Sequence, residues 1–399
     1  MKRRHYHSID LQPGLGRREF VRTAIGASLA GGLVLGVPGS FAQGQQPPPP
    51  PETNIADFLK APKTKHSLPG PFPGKVIEVK DPASLAPDKP DPAVISKMVE
   101  RGITALTGKS ASESFGVFFE KNDVVGIKVN PVGPPLISTR LEVVEAVINW
   151  LTANGLPRDH VVIWDRFDYM LKDAGFTPER FPGVQIEGLQ TMDEKGNNWR
   201  DASGKHVSEA NFDQDVYYLA KGVVPKKDDE AYLNQHVFND EKSFYGKLLT
   251  QKLTKLINIP VLKNAGNGIS VATKNLGYGA VCNTGRLHTP LFFKVCTEVL
   301  AAPVIRDRLV LNITDGLRGQ YEDGPMLNAQ FVYPNHSLYF ATDPFALDMI
   351  CHQQLVAKRK EAGIKVNEHP LYTDYLRYAE KLGLGVVDQS KMEYRKLES

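Results

Sequence analysis

The sequence predicts an α/β protein with a mostly parallel central sheet flanked by helices. Short apolar runs at Val124–Val129, His160–Ile163, Leu256–Ile259 and Arg308–Thr314 alternate with segments whose apolar residues recur every three or four positions. That order of strand, helix, strand packs helices over a parallel sheet. The composition agrees, because 399 residues with 41% hydrophobic and 23% charged residues can close a substantial core. A net charge of +3 with scattered basic residues leaves no electrostatic footprint for nucleic acid or an anionic membrane.

The elements follow in order. Val76, Ile77 and Val79 form the first strand, and Asp91 followed by Pro92 opens a helix on which Ile95, Val99, Ile103 and Leu106 share one face. Val124 to Asn130 reads as a buried strand. Thr139-Arg140-Leu141-Glu142 has the form of a capping box, ahead of a helix carrying Leu141, Val144, Ile148 and Leu151. The strand His160 to Asp165 ends in an acid, and Arg166 to Ala174 is the next helix. Around residues 190–245 the rhythm fails, with Asn197-Asn198, Asp201-Ala202-Ser203-Gly204 and Lys226 to Glu230 marking a polar insertion with hairpin-like turns on the surface. Beyond it come a strand stopped by Pro260, a glycine-rich loop, a helix from Leu291 to Leu300 and a strand from Arg308 to Thr314 closed by Asp315-Gly316. A strand from His336 to Ala341, a helix capped by Asp343 with Pro344 behind it, and a helix near Leu371 to Leu382 complete the chain.

The N-terminus has its own signature. Gly16-Arg17-Arg18-Glu19-Phe20 and the weakly apolar run Thr23 to Val37 resemble a twin-arginine export signal, with Ser40-Phe41-Ala42 offering small residues for cleavage. The expected division is a signal over residues 1–42, a proline-rich linker over 43–74 that includes Pro47 to Pro51, and one α/β domain over 75–399. The expected location is periplasmic or secreted, the expected partner the twin-arginine export machinery. No stable membrane span is expected once the signal is cleaved.

Candidate chemistry concentrates at strand ends. The loop after Pro260 carries Lys263, Asn264, Gly266, Asn267 and Gly268, then Lys274, Asn275, Gly277 and Gly279, then Arg286 and His288. Glycines expose backbone N–H groups and the lysines beside them add point charges, a pattern suited to a small anionic or carboxylate-bearing ligand. Lys128 interrupts an apolar strand, where an ammonium needs a partner or a route out, and Asn130 points to the same strand end. Asp165 and Asp315 close strands and, with His288, are the candidates for moving protons. Asp315, Asp348 and His288 are candidate metal ligands, while Asp343 has a clear helix-capping role. The cofactor is left unknown. Cys282, Cys296 and Cys351 contain no C-x-x-C pair, so this chain alone cannot hold a four-cysteine iron–sulfur cluster.

The ordered segments VVGIKVN, IPVLKN, KNLGYG and ATDPFALDMI, with a His following the third of them, resemble the domain-of-unknown-function family three-six-two over roughly Lys121 to Cys351. Fusions of some relatives to ferredoxin-type modules imply redox chemistry for part of the family; no cysteine-bearing module of that kind occurs in these 399 residues. The resemblance implies site roles for Lys128, with Asn130 at the same strand end, and for His288; Lys263, Lys274 and Asn275 are site candidates from their place in the glycine-rich loop. Where relatives often place a His soon after the lysine matching Lys263, this chain reads Asn264-Ala265, a departure that weakens any metal or proton-transfer role carried over from the family. Two function classes follow. One is an exported enzyme acting on a small anionic substrate; the other is a non-catalytic ligand- or metal-binding assembly factor exported in folded form.

Overall fold

A computed structural model describes residues 50–398, except 87, 193–200, 204, 225–235, 239, 267 and 368–371. The export-signal segment and Asn267 therefore lie outside the described residues. The strands are β1 (Lys75–Lys80), β2 (Val125–Val129), β3 (Val161–Phe167), β4 (Gln185–Gln190), β5 (Phe212–Leu219), β6 (Lys242–Gly246), β7 (Lys255–Ile259), β8 (Val261–Ala265), β9 (Gly268–Ile269), β10 (Leu309–Gln320), β11 (Val332–Ala341) and β12 (Glu393–Glu398). The helices that matter below are α1 (Pro92–Thr107), α2 (Leu141–Ala153), α3 (Ala272–Gly277), α4 (Lys294–Ala301), α5 (Pro344–Glu361) and α6 (Asp374–Lys381).

The central sheet runs β12-β1-β11-β10-β7-β2-β3-β4, with β8 lying beside β10 and folding back on β9. From β10 to β4 every neighbouring pair is parallel, as the alternating pattern predicts; β11 pairs antiparallel with β1 and β10, and β8 with β9. Successive side chains leave a strand on opposite faces. Val125, Ile127 and Val129 thus share one buried cluster with Ile257, Ile259 and Ile313, covered by α1 and α2. Asp91 caps α1 through the N–H groups of Ala93 and Val94. Gly102 lets α1 lie close to the sheet, since a Cβ there would sit 2.1 Å from the Phe340 ring.

On the opposite face one row is polar. Lys128 is in register with Trp164 on β3 and Asn258 on β7, and Asn258 with Asn312 on β10. All four are buried. The short helix α3 lies over this row, and α4, α5 and α6 pack apolar residues around it.

Several elements depart from the sequence reading. The loop after Pro260 is a hairpin, β8 and β9, followed by helix α3. No capping box forms at Thr139: its hydroxyl donates to the Ile259 carbonyl at 2.7 Å and accepts from Asn130 N–H at 2.8 Å, tying the end of β2 to that of β7. Strand β10 continues through Asp315 to Gln320. The insertion is only partly surface decoration, because β5 and β6 pair and bury Phe212, Tyr218, Phe244 and Tyr245 in the core. The described part of the expected linker lies against the body, where the buried Arg306 guanidinium donates to the carbonyls of Phe58, Ala61 and Pro62. Strand β12 was not expected, because its sequence Glu-Tyr-Arg-Lys-Leu-Glu lacks a buried run and pairs only at the sheet edge, beside β1.

Candidate functional site

The polar row has to be satisfied, because a buried ammonium without partners costs several kcal/mol. Lys128 is 1% exposed. Its Nζ forms an ion pair with Asp165 and donates to the Val129 carbonyl at 2.7 Å and to Asn275 Oδ1 at 3.1 Å. From Asn275 a relay of amides crosses the sheet. Asn275 Nδ2 donates to Asn258 Oδ1 at 2.8 Å, Asn258 Nδ2 to Asn312 Oδ1 at 3.0 Å, and Asn312 Nδ2 to the carbonyls of Ala341 and Thr342. At the other end Asn130 Nδ2 donates to Asn275 Oδ1 at 3.1 Å, and Asn130 Oδ1 accepts from Lys263 Nζ at 2.8 Å. Lys263 also donates to the carbonyls of Val132 at 2.9 Å and Ile137 at 3.4 Å, so three acceptors surround its three N–H bonds.

Above this floor, where β2 and β3 end, lies a cavity of about 130 Å³. Ligands of open α/β sheets bind at such strand ends. Its walls include Lys128, Asn130, Asp165, Lys263, Lys274 and Asn275, with Arg166, Tyr278, Thr284 and His288. The volume is well below the roughly 300–1,000 Å³ of drug-sized sites, which restricts it to a small ligand.

Cations outnumber anions around the cavity. Asp165 is its one carboxylate among the described residues, and Lys128 is paired with it. Burial pushes the Lys263 amine well down, with the nearby Lys274 charge adding to the effect. Lys274 differs from the other two lysines in having no hydrogen bond or ion pair among the described residues. Its ammonium faces the rings of Tyr278 and Phe292, 5.7 Å and 5.5 Å from their centroids. Burial lowers it to about 8. Arg166, lowered to about 10 by burial, donates to the Thr284 hydroxyl and, at 3.3 Å, to Gln190.

His288 sits against the Tyr278 ring at 4.6 Å, its Nδ1 3.1 Å from the Gly285 carbonyl. A carbonyl only accepts, so the neutral ring carries its proton on Nδ1. Burial, then the Lys274 charge, push it down to about 3. At neutral pH it is a hydrogen-bonding wall with no proton of acidic character to give.

Of the residues singled out by sequence, the structure gathers Lys128, Asn130, Asp165, Lys263, Lys274, Asn275 and His288 around one cavity. Asp315 lies behind it: Arg140 engages its carboxylate through the guanidinium at 3.0 Å and the backbone N–H at 2.9 Å. Asp348 caps α3, accepting from Ala272 N–H at 2.7 Å, Thr273 N–H at 3.0 Å and the Thr273 hydroxyl. Asn264 holds the β8–β9 turn, bonding the Gly266 carbonyl and the Gly324 N–H. Gly266 adopts φ +55° there, while Gly268 makes room for Phe293, whose ring atom would lie 2.3 Å from an added Cβ. Asp315, Asp348 and His288 are thus engaged separately, and no group of three or more His, Cys, Asp or Glu residues suited to a metal occurs among the described residues. All three cysteines are buried free thiols.

Sequence reasoning missed Asn258 and Asn312, although each is a polar residue between apolar neighbours in a buried strand, the same signal that marked Lys128. Arg166, Tyr278 and Thr284 offered no such signal, since the fold alone brings them to the cavity.

Residues 125–353 match the family model described as Domain of unknown function (DUF362). The match spans more than half of the chain and includes all the cavity residues named above, and the protein belongs to that family. No curated protein and no solved structure matches the chain.

The cap on α3 gives a first test. Asp348→Ala leaves two buried backbone N–H groups without acceptors and should lower stability by about 2–4 kcal/mol. The expected readout is a lower urea midpoint with an unchanged slope; an unchanged midpoint would remove Asp348 from the support of the site.

Proposed function

We propose that this protein is exported through the twin-arginine pathway and is an enzyme acting on a small, carboxylate-bearing anion bound in the strand-end cavity. The observation that carries the reading is Lys274. Two of the three cavity lysines spend their N–H bonds on protein acceptors, while Lys274 keeps its amine for the cavity, with Arg166 adding positive charge. An amine lowered to about 8 changes protonation close to working pH, as a group that moves protons must. Asp165, held by Lys128, is the carboxylate placed to receive or return a proton.

Acetate is the simplest probe. A charge-assisted bond to a buried ammonium contributes roughly 1.5–3 kcal/mol, so Lys274→Met should weaken acetate binding about 10–150-fold. Because Lys274 gives up no hydrogen bond or ion pair among the described residues, and losing its contacts with the two rings is offset by losing a desolvated charge, the variant should melt no lower than the wild type. Acetate affinity should also fall as pH rises through about 8, where the ammonium loses its proton. An equal acetate-induced rise in melting temperature in both proteins would take Lys274 out of the site.

Export rests on the sequence of the first 42 residues. Arg17→Lys combined with Arg18→Lys should leave precursor in the cytoplasm, read by fractionation and immunoblot; normal accumulation of the mature form outside the cytoplasm would refute the pathway.

A further inference from the structure

The cavity places one amine differently from the others, and that difference bears on chemistry. Lys274 projects from α3, a single helical turn held at its start by Asp348 and at its next residue by the bonds of Asn275 to Lys128 and Asn258. Its amine lies against the Tyr278 and Phe292 rings on the cavity wall, and no hydrogen-bond or ion-pair partner among the described residues engages it. The groups facing it are Lys263 on β8, Tyr278 just after α3, His288 and Cys296 on α4. None of them is a carboxylate. A lysine desolvated among apolar rings, with no carboxylate against it, is an arrangement that makes an amine nucleophilic.

We infer that Lys274 forms a reversible imine with the carbonyl carbon of a short 2-oxo acid whose carboxylate is held by the positive charge of Arg166. This rests on the reading of the cavity as a carboxylate site and adds the class of substrate. The step balances without an oxidant or reductant. The lone pair of the neutral amine forms the N–C bond as the carbonyl π electrons move to oxygen; the oxygen takes up the two amine hydrogens and leaves as water. The imine nitrogen then binds a proton from solvent. The resulting cation eases loss of a proton from the carbon at position 3, because the C–H electron pair can move into the C=N bond and give an enamine. Its cationic charge replaces that of the original ammonium, so the carboxylate keeps its partner.

The neutral amine is present in quantity here. At about pH 7.5 an amine lowered to about 8 has on the order of 10²-fold more of its free form than an ordinary lysine near ~10.4. Exposed lysines such as Lys97 provide the internal reference.

The experiment is borohydride trapping. The whole protein is mixed with pyruvate at about pH 7.5, reduced with sodium borohydride and mapped by peptide mass spectrometry, with melting curves taken in pyruvate and in propionate. The expected result is one reduced pyruvate adduct at Lys274, saturating with pyruvate and forming on the order of 10²-fold faster than at exposed lysines. Propionate, which has the carboxylate but no carbonyl, should suppress the adduct by competition, and Lys274→Arg should abolish it while retaining a propionate-induced rise in melting temperature. If pyruvate and propionate both raise the melting temperature but Lys274 labels no faster than Lys97, the imine is refuted and the carboxylate site stands. If neither acid raises the melting temperature and no selective adduct forms, both the imine and the carboxylate site are refuted.

Discussion

The architecture of the site depends on one buried charge. Lys128 stands in the middle of a parallel sheet, on the face that β7 and β10 continue with Asn258 and Asn312, and an ammonium at that depth has to be compensated where it stands. Asp165 supplies the charge, one strand across, and Asn275 supplies a hydrogen-bond acceptor from above. Asn275 lies on α3, so the need to satisfy Lys128 fixes where α3 must sit. Gly279 is part of the same fit, because a Cβ there would lie 2.5 Å from Lys128 Cε. The chain after β9 has to turn back over the polar row, and Asp348 on α5 holds it there by its first N–H groups.

This arrangement also explains why the cavity is cationic. The amide relay from Asn312 to Asn130 uses each carbonyl oxygen as an acceptor and each NH₂ group as a donor, and its last oxygen accepts from Lys263. The relay brings no negative charge with it. Lys263 is bonded by amide and backbone oxygens that carry no countercharge, and Lys274 on α3 lies near enough for its charge to lower Lys263 further. Burial and mutual repulsion disfavour the charged forms of these two neighbouring amines, a configuration that a bound anion would relieve. Such unrelieved charge is a common mark of functional sites.

Much of this was legible in the sequence. The alternation of strands and helices gave the parallel core, and a lysine inside an apolar strand marked Lys128 before any coordinates. The same reasoning applied to Asn258 and Asn312 would have found the relay, but an asparagine in a strand is a weaker anomaly than a charge. The capping roles of Asp348 and the Arg140 partnership of Asp315 were not legible, because each joins elements far apart in the chain: Asp348 meets Ala272, and Arg140 meets Asp315. Glycine spacing misled about the segment after Pro260. Gly266 and Gly268 serve a tight hairpin and an aromatic contact, and short secondary structure occupies most of what reads as loop.

The claim on which the rest turns is that Lys274 is a buried amine of lowered basicity waiting for an anion. NMR of ¹⁵N-labelled lysine side chains, followed through a pH titration, observes it directly. The account predicts one resonance titrating near 8, missing in Lys274→Met and moving to higher pH when acetate is added, because a carboxylate beside an ammonium favours the protonated form. A Lys274 resonance that titrates with the exposed lysines, or that acetate leaves in place, would contradict it.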